Sequence, residues 1–392
     1  MKILHVILTL SPKYGGPVTM LKDISLAMKD RGHEITVVAT NFSYPHGRSN
    51  EHPYESFPEV DVRLFPFWSE NYALSPQFAR FIWRRVHEFD LVHIHGLYRF
   101  PLSLAAFVCG LKKVPYIISI HGALDPFLYN RTRNWLLKRL YEKLVDFPLL
   151  RRAARIHYAT NEEWALVRQL KLGDKGAVIP NGVDVSRFLP TPQLGSFRAK
   201  HAISEANLLL FVGRINFKKG LDITLKSLPK VIQSHPSTKL VIAGPDNEGY
   251  KKDLEIIIQE QGIQRNVAFI GMQTAEQMAE AFADATLFLL PSYTENFGIA
   301  VVEAMLCGCP VVISNRVNIH SDLSAHDAAL VVDCDTEDIA EKVVLALGSP
   351  QLRTKLSQNG RNVSHELYSI ETVTAQFEDL YHQVAGEIRV GP

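Results

Sequence analysis

The sequence has few cysteines, no excess of charge and no long apolar run. Its 392 residues carry a formal net charge of +1 and include four cysteines, Cys109, Cys307, Cys309 and Cys334. The cysteines lack the spacing of a zinc site, and their small number is typical of a reducing compartment. The near-neutral charge argues against a nucleic-acid-binding protein. No stretch is apolar enough to span a bilayer, so we expect a cytoplasmic protein.

Two common nucleotide-binding patterns are missing as well. Neither half has a Gly-x-Gly-x-x-Gly turn after its first strand, which argues against a nicotinamide oxidoreductase. No Gly-Lys-Ser/Thr ends a glycine loop, which argues against a P-loop nucleotidase. The apolar start from Met1 to Leu8 is short, is interrupted by His5 and lacks a cleavage site, so it predicts a buried strand and not a signal peptide.

Short apolar runs alternate with longer amphipathic runs along the whole chain. This alternation predicts an α/β protein made of two parallel-sheet units. The predicted strands lie at 3–8, 34–39, 60–64, 91–95, 116–120, 155–159, 177–179, 208–212, 239–243, 267–270, 287–290, 311–314 and 329–332. The predicted helices lie at 18–29, 77–87, 102–111, 134–144, 162–170, 220–233, 250–261, 274–283, 298–306, 339–347 and 370–387.

A segment rich in proline, serine and threonine, from Val185 to Ser204, predicts the linker between the units. We expect one Rossmann-like domain at 1–190, a second at 191–368, and a final helical segment at 369–392 that crosses back to the first domain. Ligands of open α/β sheets bind at the carboxyl ends of the strands. The expected site is therefore a cleft across which the two sheets face each other.

The nine residues from Glu295 to Glu303 carry the strongest functional signal. Gly298 is predicted to open a helix, which leaves the backbone N–H groups around it free to bind an anion. Glu295 can accept hydrogen bonds from sugar hydroxyls, and Glu303 can bind both hydroxyls of a ribose. The alternative is that Asn296 caps the helix and both glutamates are solvated.

A second signal is the basic loop at the end of the strand 208–212. Arg214 offers a planar set of donors and Lys219 a compact positive charge, so together they can neutralise a diphosphate. The alternative is a solvated basic loop at a helix start. Cations there oppose the helix dipole, which favours an anionic ligand. Of the basic residues in this loop, Lys218 is the one expected to lie only at the surface.

These segments resemble glycosyltransferase family 4, a group of retaining, nucleotide-sugar-dependent enzymes with the two-domain GT-B fold. The similarity is carried by the basic loop, by the pair Glu295 and Glu303 around Phe297-Gly298, and by the segment 180–184 (Pro-Asn-Gly-Val-Asp). Further similar segments are Tyr14-Gly15-Gly16-Pro17, Arg31-Gly32-His33-Glu34 and His121-Gly122. The match covers nearly the whole chain in order.

The resemblance implies a role for each matching position. The N-terminal domain would lie on the acceptor side, and the C-terminal domain would bind the nucleotide sugar. Gly16 would let its loop approach the donor, Met272 would meet the base, and His121 would lie beside the reacting sugar. The implied catalytic residues are His121, Arg214, Lys219 and Glu295. The implied donor-binding residues are Gly16, Arg214, Lys219, Met272, Glu295, Asn296, Phe297, Gly298, Ile299 and Glu303.

The implied reaction is hexosyl transfer with retention, by front-face attack. We expect UDP-glucose or UDP-galactose as the donor, with GDP-mannose second, and a glycan or lipid-linked acceptor in polysaccharide or envelope synthesis. No cofactor is expected. The alternatives are a nucleotide-sugar epimerase or hydrolase of the same fold, or a non-catalytic sugar-nucleotide-binding subunit.

Two patterns raise the question of a metal ion. His93 and His95 share one face of a strand, but no third ligand stands out nearby. Asp333 and Asp335 imitate an Asp-x-Asp metal motif, yet a helix cap at Asp335 explains that pattern better. We expect catalysis without a metal ion.

The segment from Asn130 to Arg155 is strongly basic. A helical wheel places Trp135 with the basic residues Arg131, Lys138, Arg139 and Lys143, opposite an apolar stripe of Leu137, Leu140, Tyr141, Leu144 and Val145. A basic face with a tryptophan suits an anionic membrane surface, on the inner face of the membrane. The alternative is a surface helix packed by its apolar stripe.

Overall fold

The computed structural model describes residues 1–11, 15–42, 57, 59–68, 73–129, 135–188 and 192–389. The chain divides into two compact units, Met1–Gly182 with Ile370–Pro392 and Val183–Ser369. The division falls after Gly182, and the backbone N–H of Val183 donates to the Tyr368 carbonyl at 2.8 Å within the second unit. Some predicted features lie outside the described residues: Tyr14, part of the expected linker (189–191), Arg131 and Arg133.

The first unit contains a parallel sheet whose seven described strands have the order β3-β2-β1-β4-β5-β6-β7. These are β1 (Lys2–Ile7), β2 (Glu34–Thr40), β3 (Asp61–Phe65), β4 (Leu91–His95), β5 (Tyr116–Ser119), β6 (Arg155–Tyr158) and β7 (Gly176–Val178). The order reverses between β1 and β4. Such a reversal creates a crevice at the carboxyl ends of the two strands.

Helices cover both faces of this sheet. They are α1 (Gly16–Asp30), α2 (Pro76–Arg85), α3 (Phe100–Lys112), α4 (Pro126–Tyr129), α5 (Trp135–Tyr141), α6 (Phe147–Arg152) and α7 (Asn161–Arg168). The last helix of the chain, Ile370–Arg389, also packs in this unit, where Phe377 and Tyr381 are fully buried against β1 and β4 residues. Because both faces are covered, the strands are almost continuously apolar.

The second unit contains a six-stranded parallel sheet with the order β10-β9-β8-β11-β12-β13 in its described residues. These are β8 (Asn207–Val212), β9 (Thr238–Ala243), β10 (Val267–Gly271), β11 (Leu287–Leu290), β12 (Val311–Ser314) and β13 (Ala329–Val332). Here the order reverses between β8 and β11. The strands carrying the two strongest sequence signals therefore lie side by side.

The helices of the second unit follow the same alternation. They are α8 (Ser196–Lys200), α9 (Leu221–Ser234), α10 (Lys251–Glu260), α11 (Ala275–Asp284), α12 (Ile299–Leu306), α13 (His320–Ala325), α14 (Thr336–Gly348) and α15 (Pro350–Tyr368). The last helix of the first unit is α16 (Ile370–Arg389). Within the described ranges, no helix is long and apolar enough to cross a membrane.

The predicted fold class is confirmed. Every predicted strand is present, with ends shifted by at most one residue. The sequence patterns missed the long helix α15, because its buried face includes Gly360 and Ser364 and so shows no apolar period. They also missed the short helices α4, α6, α8 and α13.

Candidate functional site

The loops that follow β8 and β11 touch each other at the reversal of strand order. Gly220 has φ +68°, and a Cβ there would lie 2.0 Å from the carbonyl oxygen of Pro291. The backbone N–H of Tyr293 donates to the Lys218 carbonyl at 2.7 Å. Only glycine allows this approach, so the fold itself joins the basic loop to the segment that begins helix α12.

A third loop, after β9, completes the floor of the site. Gly244 has φ +142°, and a Cβ there would lie 1.9 Å from the carbonyl oxygen of Gly213. The Ile215 N–H donates to the Pro245 carbonyl at 2.9 Å. This loop was not predicted from the sequence, although a Gly-Pro pair directly after a predicted strand is a usable signal.

The basic loop presents three cations of different exposure. Arg214 is exposed and has no hydrogen bond or ion pair within the described ranges. Lys218 is half-buried, so the expectation that it lies only at the surface was wrong. Burial lowers the pKa of Lys218, and the positive charges of Arg214 and Lys219 lower it further. Three like charges held together without an equal number of anions favour an anionic ligand.

Glu295 is the one carboxylate of the described residues that pairs with this loop. It forms an ion pair with Lys219, and both side chains are mostly buried. Its backbone is fixed on both sides, because its N–H donates to the Arg316 carbonyl at 3.0 Å and its carbonyl accepts from the Asn318 N–H at 2.9 Å. The negative charge of Glu248, in the loop after β9, also acts on Lys218, so three cations face two carboxylates and the formal charge is +1 (3 − 2).

Helix α12 begins with free donors, as the sequence predicted. Gly298 is the N-cap residue, with φ +82° and no side-chain cap. Among the described residues, the backbone N–H groups of Phe297, Gly298 and Ile299 have no acceptor. A helix N-terminus with unpaired N–H groups carries a partial positive charge and binds anions.

Asn296 does not cap the helix, so the alternative explanation of this segment is wrong. Its side-chain oxygen Oδ1 is buried and has no partner in the described part of the chain. A buried acceptor without a donor is rare in native proteins. A ligand hydroxyl would satisfy it. Phe297, in contrast, is buried against Tyr368 with ring centroids 5.4 Å apart, so only its backbone belongs to the site.

Glu303 is not a solvated glutamate, as the alternative required. Burial raises its pKa to about 7, and the positive charge of Arg187 acts in the opposite direction. Burial lowers the pKa of Arg187, which also lies 3.7 Å from the Asp184 carboxylate. Arg187 was not predicted from the sequence, although it lies three residues after the segment 180–184 that resembles the family.

Met272 lies at the end of β10 and is 72% exposed. The preceding Gly271 has φ +70°, and its carbonyl accepts a hydrogen bond from the Gly244 N–H at 2.8 Å. That bond attaches the turn to the loop after β9. Met272 is therefore placed at the edge of the same group of loops, with a flexible apolar side chain open to solvent.

The first unit holds the other two predicted site residues. Gly16 is the first residue of α1 and follows Gly15, which has φ +74°. His121 follows β5 with φ +49°, a strained conformation that few non-glycine residues adopt. The N–H of Gly122 donates to the Glu163 carboxylate, which fixes this turn. Burial lowers the pKa of His121 to about 3, so its ring is neutral at neutral pH.

A third histidine lies beside the pair His93 and His95. His5 on β1 packs beside His93 and His95, and the three side chains offer nitrogen atoms within 4.8 Å of one another. Both ring nitrogens of His93 are already engaged, by the Tyr381 hydroxyl at 2.6 Å and the Ser119 hydroxyl at 2.6 Å. The predicted cap at Asp335 is confirmed, since its carboxylate accepts from the N–H groups of Glu337 and Asp338.

The basic segment of the first unit exposes its leucines. Helix α5 continues through one wide helical turn, Glu142–Asp146, into α6. Leu137, Leu140 and Leu144 are 66%, 53% and 68% exposed, so these leucines do not pack as the alternative explanation required. Trp135 is also exposed, with the Arg139 guanidinium 5.3 Å from its ring centroid.

Comparisons with known sequences agree with these features. The profile described as Glycosyltransferase Family 4 matches residues 14–187, and that described as Glycosyl transferases group 1 matches residues 195–363. A GDP-mannose:cellobiosyl-diphosphopolyprenol alpha-mannosyltransferase of Xanthomonas oryzae pv. oryzae is 25% identical over 100% of this chain and 99% of its own. A phosphatidyl-myo-inositol mannosyltransferase of Mycolicibacterium smegmatis is 26% identical over 95% and 91%.

Solved structures share the fold. HepE of Anabaena, crystallised with UDP and glucose, has a TM-score of 0.80 at 20% identity and covers 98% of this chain and 100% of its own. A sucrose-phosphate synthase of Thermosynechococcus elongatus has a TM-score of 0.80 at 20% identity, with 99% and 100% covered. At this identity the likeness shows the architecture alone.

Proposed function

Because the chain belongs to glycosyltransferase family 4, we propose that it transfers a hexose from a nucleoside diphosphate sugar to a glycan or lipid-linked acceptor. One observation carries the proposal. In the second unit, a loop with a net positive charge adjoins a helix start whose N–H groups have no acceptor among the described residues. Such a pair of features matches a diphosphate in charge and in hydrogen-bond donors.

The diphosphate is the leaving group of the reaction. When the bond between the sugar and the phosphate breaks, negative charge grows on the phosphate oxygens. Arg214 and Lys219 offset that charge, and the fixed N–H groups at Gly298 need no reorganisation to do so. Glu295 accepts from hydroxyls of the transferred sugar, and Asn296 Oδ1 gains the donor that it lacks.

Glu303 and Met272 hold the nucleoside. The Glu303 carboxylate accepts from both ribose hydroxyls, and those donors offset the cost of its burial. Met272 packs against the base with its exposed thioether side chain. For Gly16 and His121 we keep the roles in substrate binding that their match to the family implies.

The stereochemical course is retention, without a metal ion. The acceptor attacks from the face that the diphosphate leaves, and the departing phosphate takes the acceptor's proton. The anomeric configuration of the product, read by NMR, tests this course. An inverted product would contradict it, and so would transfer that stops when a chelator removes divalent metal ions.

For the donor, two kinds of support point to different sugars. Family frequency favours UDP-glucose or UDP-galactose. The two relatives named above are mannosyltransferases, and the name of one specifies GDP-mannose. We therefore propose testing GDP-mannose and UDP-glucose side by side.

Thermal unfolding with each nucleotide and nucleotide sugar identifies the donor, because a ligand that binds only the folded state raises the melting temperature. The Arg214→Ala variant should lose the shift, whereas the exposed Lys230→Ala variant of the same unit should keep it. Transfer to a polyprenyl-diphosphate-linked glycan then tests the acceptor class. Donor hydrolysis at the same rate with and without every acceptor would contradict a transferase.

The exposed leucines and the basic residues beside them bind an anionic membrane surface. Charge and apolar area occur together on α5 and the wide turn that follows. A pocket beside this segment has an apolar lining that includes Leu124 and Leu170, with Arg139 and Lys143 at its wall. Apolar and basic groups together suit a lipid-linked phosphate.

Cosedimentation with phosphatidylglycerol vesicles tests the membrane surface. Leu137→Ser combined with Leu144→Ser should reduce binding about tenfold or more, because each change removes an apolar side chain from the contact. Leu345→Ser is the matched control, since Leu345 is 52% exposed on α14 of the other unit. Equal binding by all three proteins would remove the membrane contact from the proposal.

A further inference from the structure

Three histidines of the first unit form a file that ends at His121. The His5 Nδ1 atom lies 3.0 Å from His95 Nε2, and His95 Nδ1 lies 3.3 Å from His121 Nε2. His5 and His95 are buried, and adjacent rings of the file lie side by side, within 30° and 18° of parallel, with centroids 5.3 and 5.5 Å apart. The file begins on β1, crosses the end of β4 and reaches the turn after β5.

A neighbouring chain of hydrogen bonds has only one consistent direction. The Ile179 carbonyl can only accept, so His157 donates to it from Nε2 at 2.7 Å and accepts from the Ser119 hydroxyl at Nδ1 at 2.6 Å. Ser119 therefore accepts from His93 Nε2–H, and His93 Nδ1 accepts from the Tyr381 hydroxyl. His93 thus has no nitrogen left for the file or for a metal ion.

His5, the buried end of the file, determines which nitrogen donates in each of its hydrogen bonds. His5 Nε2 is buried and has no partner in the described residues. A buried N–H without an acceptor is rarer in proteins than a buried acceptor without a donor, so the proton of His5 belongs on Nδ1. His5 then donates to His95 Nε2, which leaves the His95 proton on Nδ1. His95 in turn donates to His121 Nε2.

We propose that His95, supported by His5, is the positioning residue of His121: it orients the ring and keeps the His121 proton on Nδ1. The Nδ1 atom of His121 has no partner in the described part of the chain, so its N–H can donate to a substrate oxygen. The inference rests on the proposed function in that one respect. The tautomer of a histidine is set by the hydrogen bond of its other nitrogen.

Asparagine and glutamine at position 95 separate the two contacts. The asparagine amide lies where His95 Nδ1 was and keeps a bond to His121, whereas the glutamine amide reaches the place of Nε2 and keeps only the bond to His5. In nitrogen NMR spectra of the ligand-free, histidine-labelled protein, protonated and bare ring nitrogens are well separated. We expect wild-type His121 to be protonated at Nδ1 and the His95→Gln variant to show a mixture of tautomers.

The turnover number should depend on whether residue 95 keeps its hydrogen bond to His121. We expect His95→Gln to lower kcat about 10²-fold with little change in KM, which is the loss typical of a misplaced group. His95→Asn should keep kcat within about tenfold of the wild type. The assay is nucleoside diphosphate release from whichever of GDP-mannose and UDP-glucose the wild-type protein uses.

The control is Tyr381→Phe, which breaks the neighbouring chain at His93 and leaves the file intact. It should lower the melting temperature but change neither the His121 spectrum nor kcat. Wild-type His121 protonated at Nε2, or equal losses in the Asn and Gln variants, would overturn the proposal. Stoichiometric zinc in the purified protein, lost on His93→Gln, would also overturn it. The spectrum needs no substrate, so it decides the tautomer even if His121 proves not to contact one.

Discussion

The two units share one topology but differ in the chemistry at their strand ends. Both sheets reverse their strand order, between β1 and β4 in one unit and between β8 and β11 in the other. In the first unit that position holds buried neutral histidines, with the pKa of His5 lowered to about 3 by burial. In the second unit it holds Arg214, Lys218 and Lys219 beside a helix start with free N–H groups.

This difference teaches that the position of a site follows from topology, whereas its chemistry follows from side chains and solvent access. Neutral histidines can lie in a low-dielectric interior because they have no charge to desolvate. The cations of the second unit stay half-buried or exposed, and a carboxylate pairs with one of them. Of the two positions, the one in the second unit therefore has the net positive charge that an anionic ligand requires.

Removing a cation from the second unit should have the largest effect. The Lys219→Ala variant loses a charge that we propose to offset the diphosphate, and it leaves Glu295 without its partner. We expect transfer to fall by about 10² to 10³, the loss typical of one preorganised donor to a developing anion. Steady-state kinetics with the identified donor measure it.

Lys230→Ala is the control for charge, because Lys230 pairs with Glu337 and Glu341 on the exposed side of the same unit. Its transfer rate should equal that of the wild type. If both variants lost activity equally, the effect would come from net charge and the contrast between the two units would fail.

Substitution of Glu303 should have the second-largest effect. It should weaken donor binding but raise the stability of the folded protein. The pKa of Glu303 rises from 4.5 to about 7 in the folded protein, so the folded state holds an extra proton between those values. Stability is therefore lost as pH rises through this window. The Glu303→Gln variant should unfold at a higher temperature than the wild type at pH 8, with no difference near pH 4.

The same variant should bind the donor about ten- to hundredfold more weakly, since charged acceptors make the stronger hydrogen bonds to ribose hydroxyls. Calorimetric titration with the free nucleoside diphosphate measures this loss. A variant that is both more stable at pH 8 and equally good at binding would mean that the buried carboxylate has no ligand.

Substitution of Gly298 should have a smaller effect on donor binding. The φ of +82° at Gly298 costs a non-glycine residue about 1–2 kcal/mol, and a Cβ there would meet Val301 and Val317 at 3.3 Å. Gly298→Ala should weaken donor binding about tenfold, because a shift of the helix start misaligns its N–H groups. Gly348→Ala, where a Cβ meets nothing within 4 Å, should leave binding unchanged. Equal binding by both variants would argue against anion binding at α12.

Local pattern predicted most of the fold. Strands that are buried on both faces are apolar throughout, so their limits can be read from the sequence to within one residue. Helix α15 could not be read in this way, because Gly360 packs directly on Met305 and a glycine adds nothing to an apolar period. Its start does carry a signal, since Ser349 caps the helix and Pro350 follows in the first turn.

Residues that act through their own type and position could be proposed from the sequence. Arg214, Lys219 and Glu303 belong to this group, and their roles stay predictions. The unpaired N–H groups at Gly298 are present among the described residues. Pairings across the fold could not be predicted, because they depend on which strands become neighbours. His5 is the example: it lies 88 positions before His93 (93 − 5) and meets it only because β1 and β4 pair, with His5 opposite His93 in the register.

We expect the smallest effect from substitution of Asp146. This substitution tests whether a raised carboxyl pKa is enough to indicate a ligand site. Burial raises the pKa of Asp146 in the first unit to about 7, as it does for Glu303 in the second. Asp146 receives a hydrogen bond from Ser103 at 3.3 Å, and its Oδ2 atom has no partner among the described residues. We expect Asp146→Asn to raise the melting temperature at pH 8 by a few degrees, with the gain lost below pH 4, because the folded carboxyl holds its proton up to about pH 7. Nucleotide binding should not change. If the nucleotide altered the Asp146→Asn protein as it alters Glu303→Gln, the contrast between a neutral first unit and a charged second unit would be wrong.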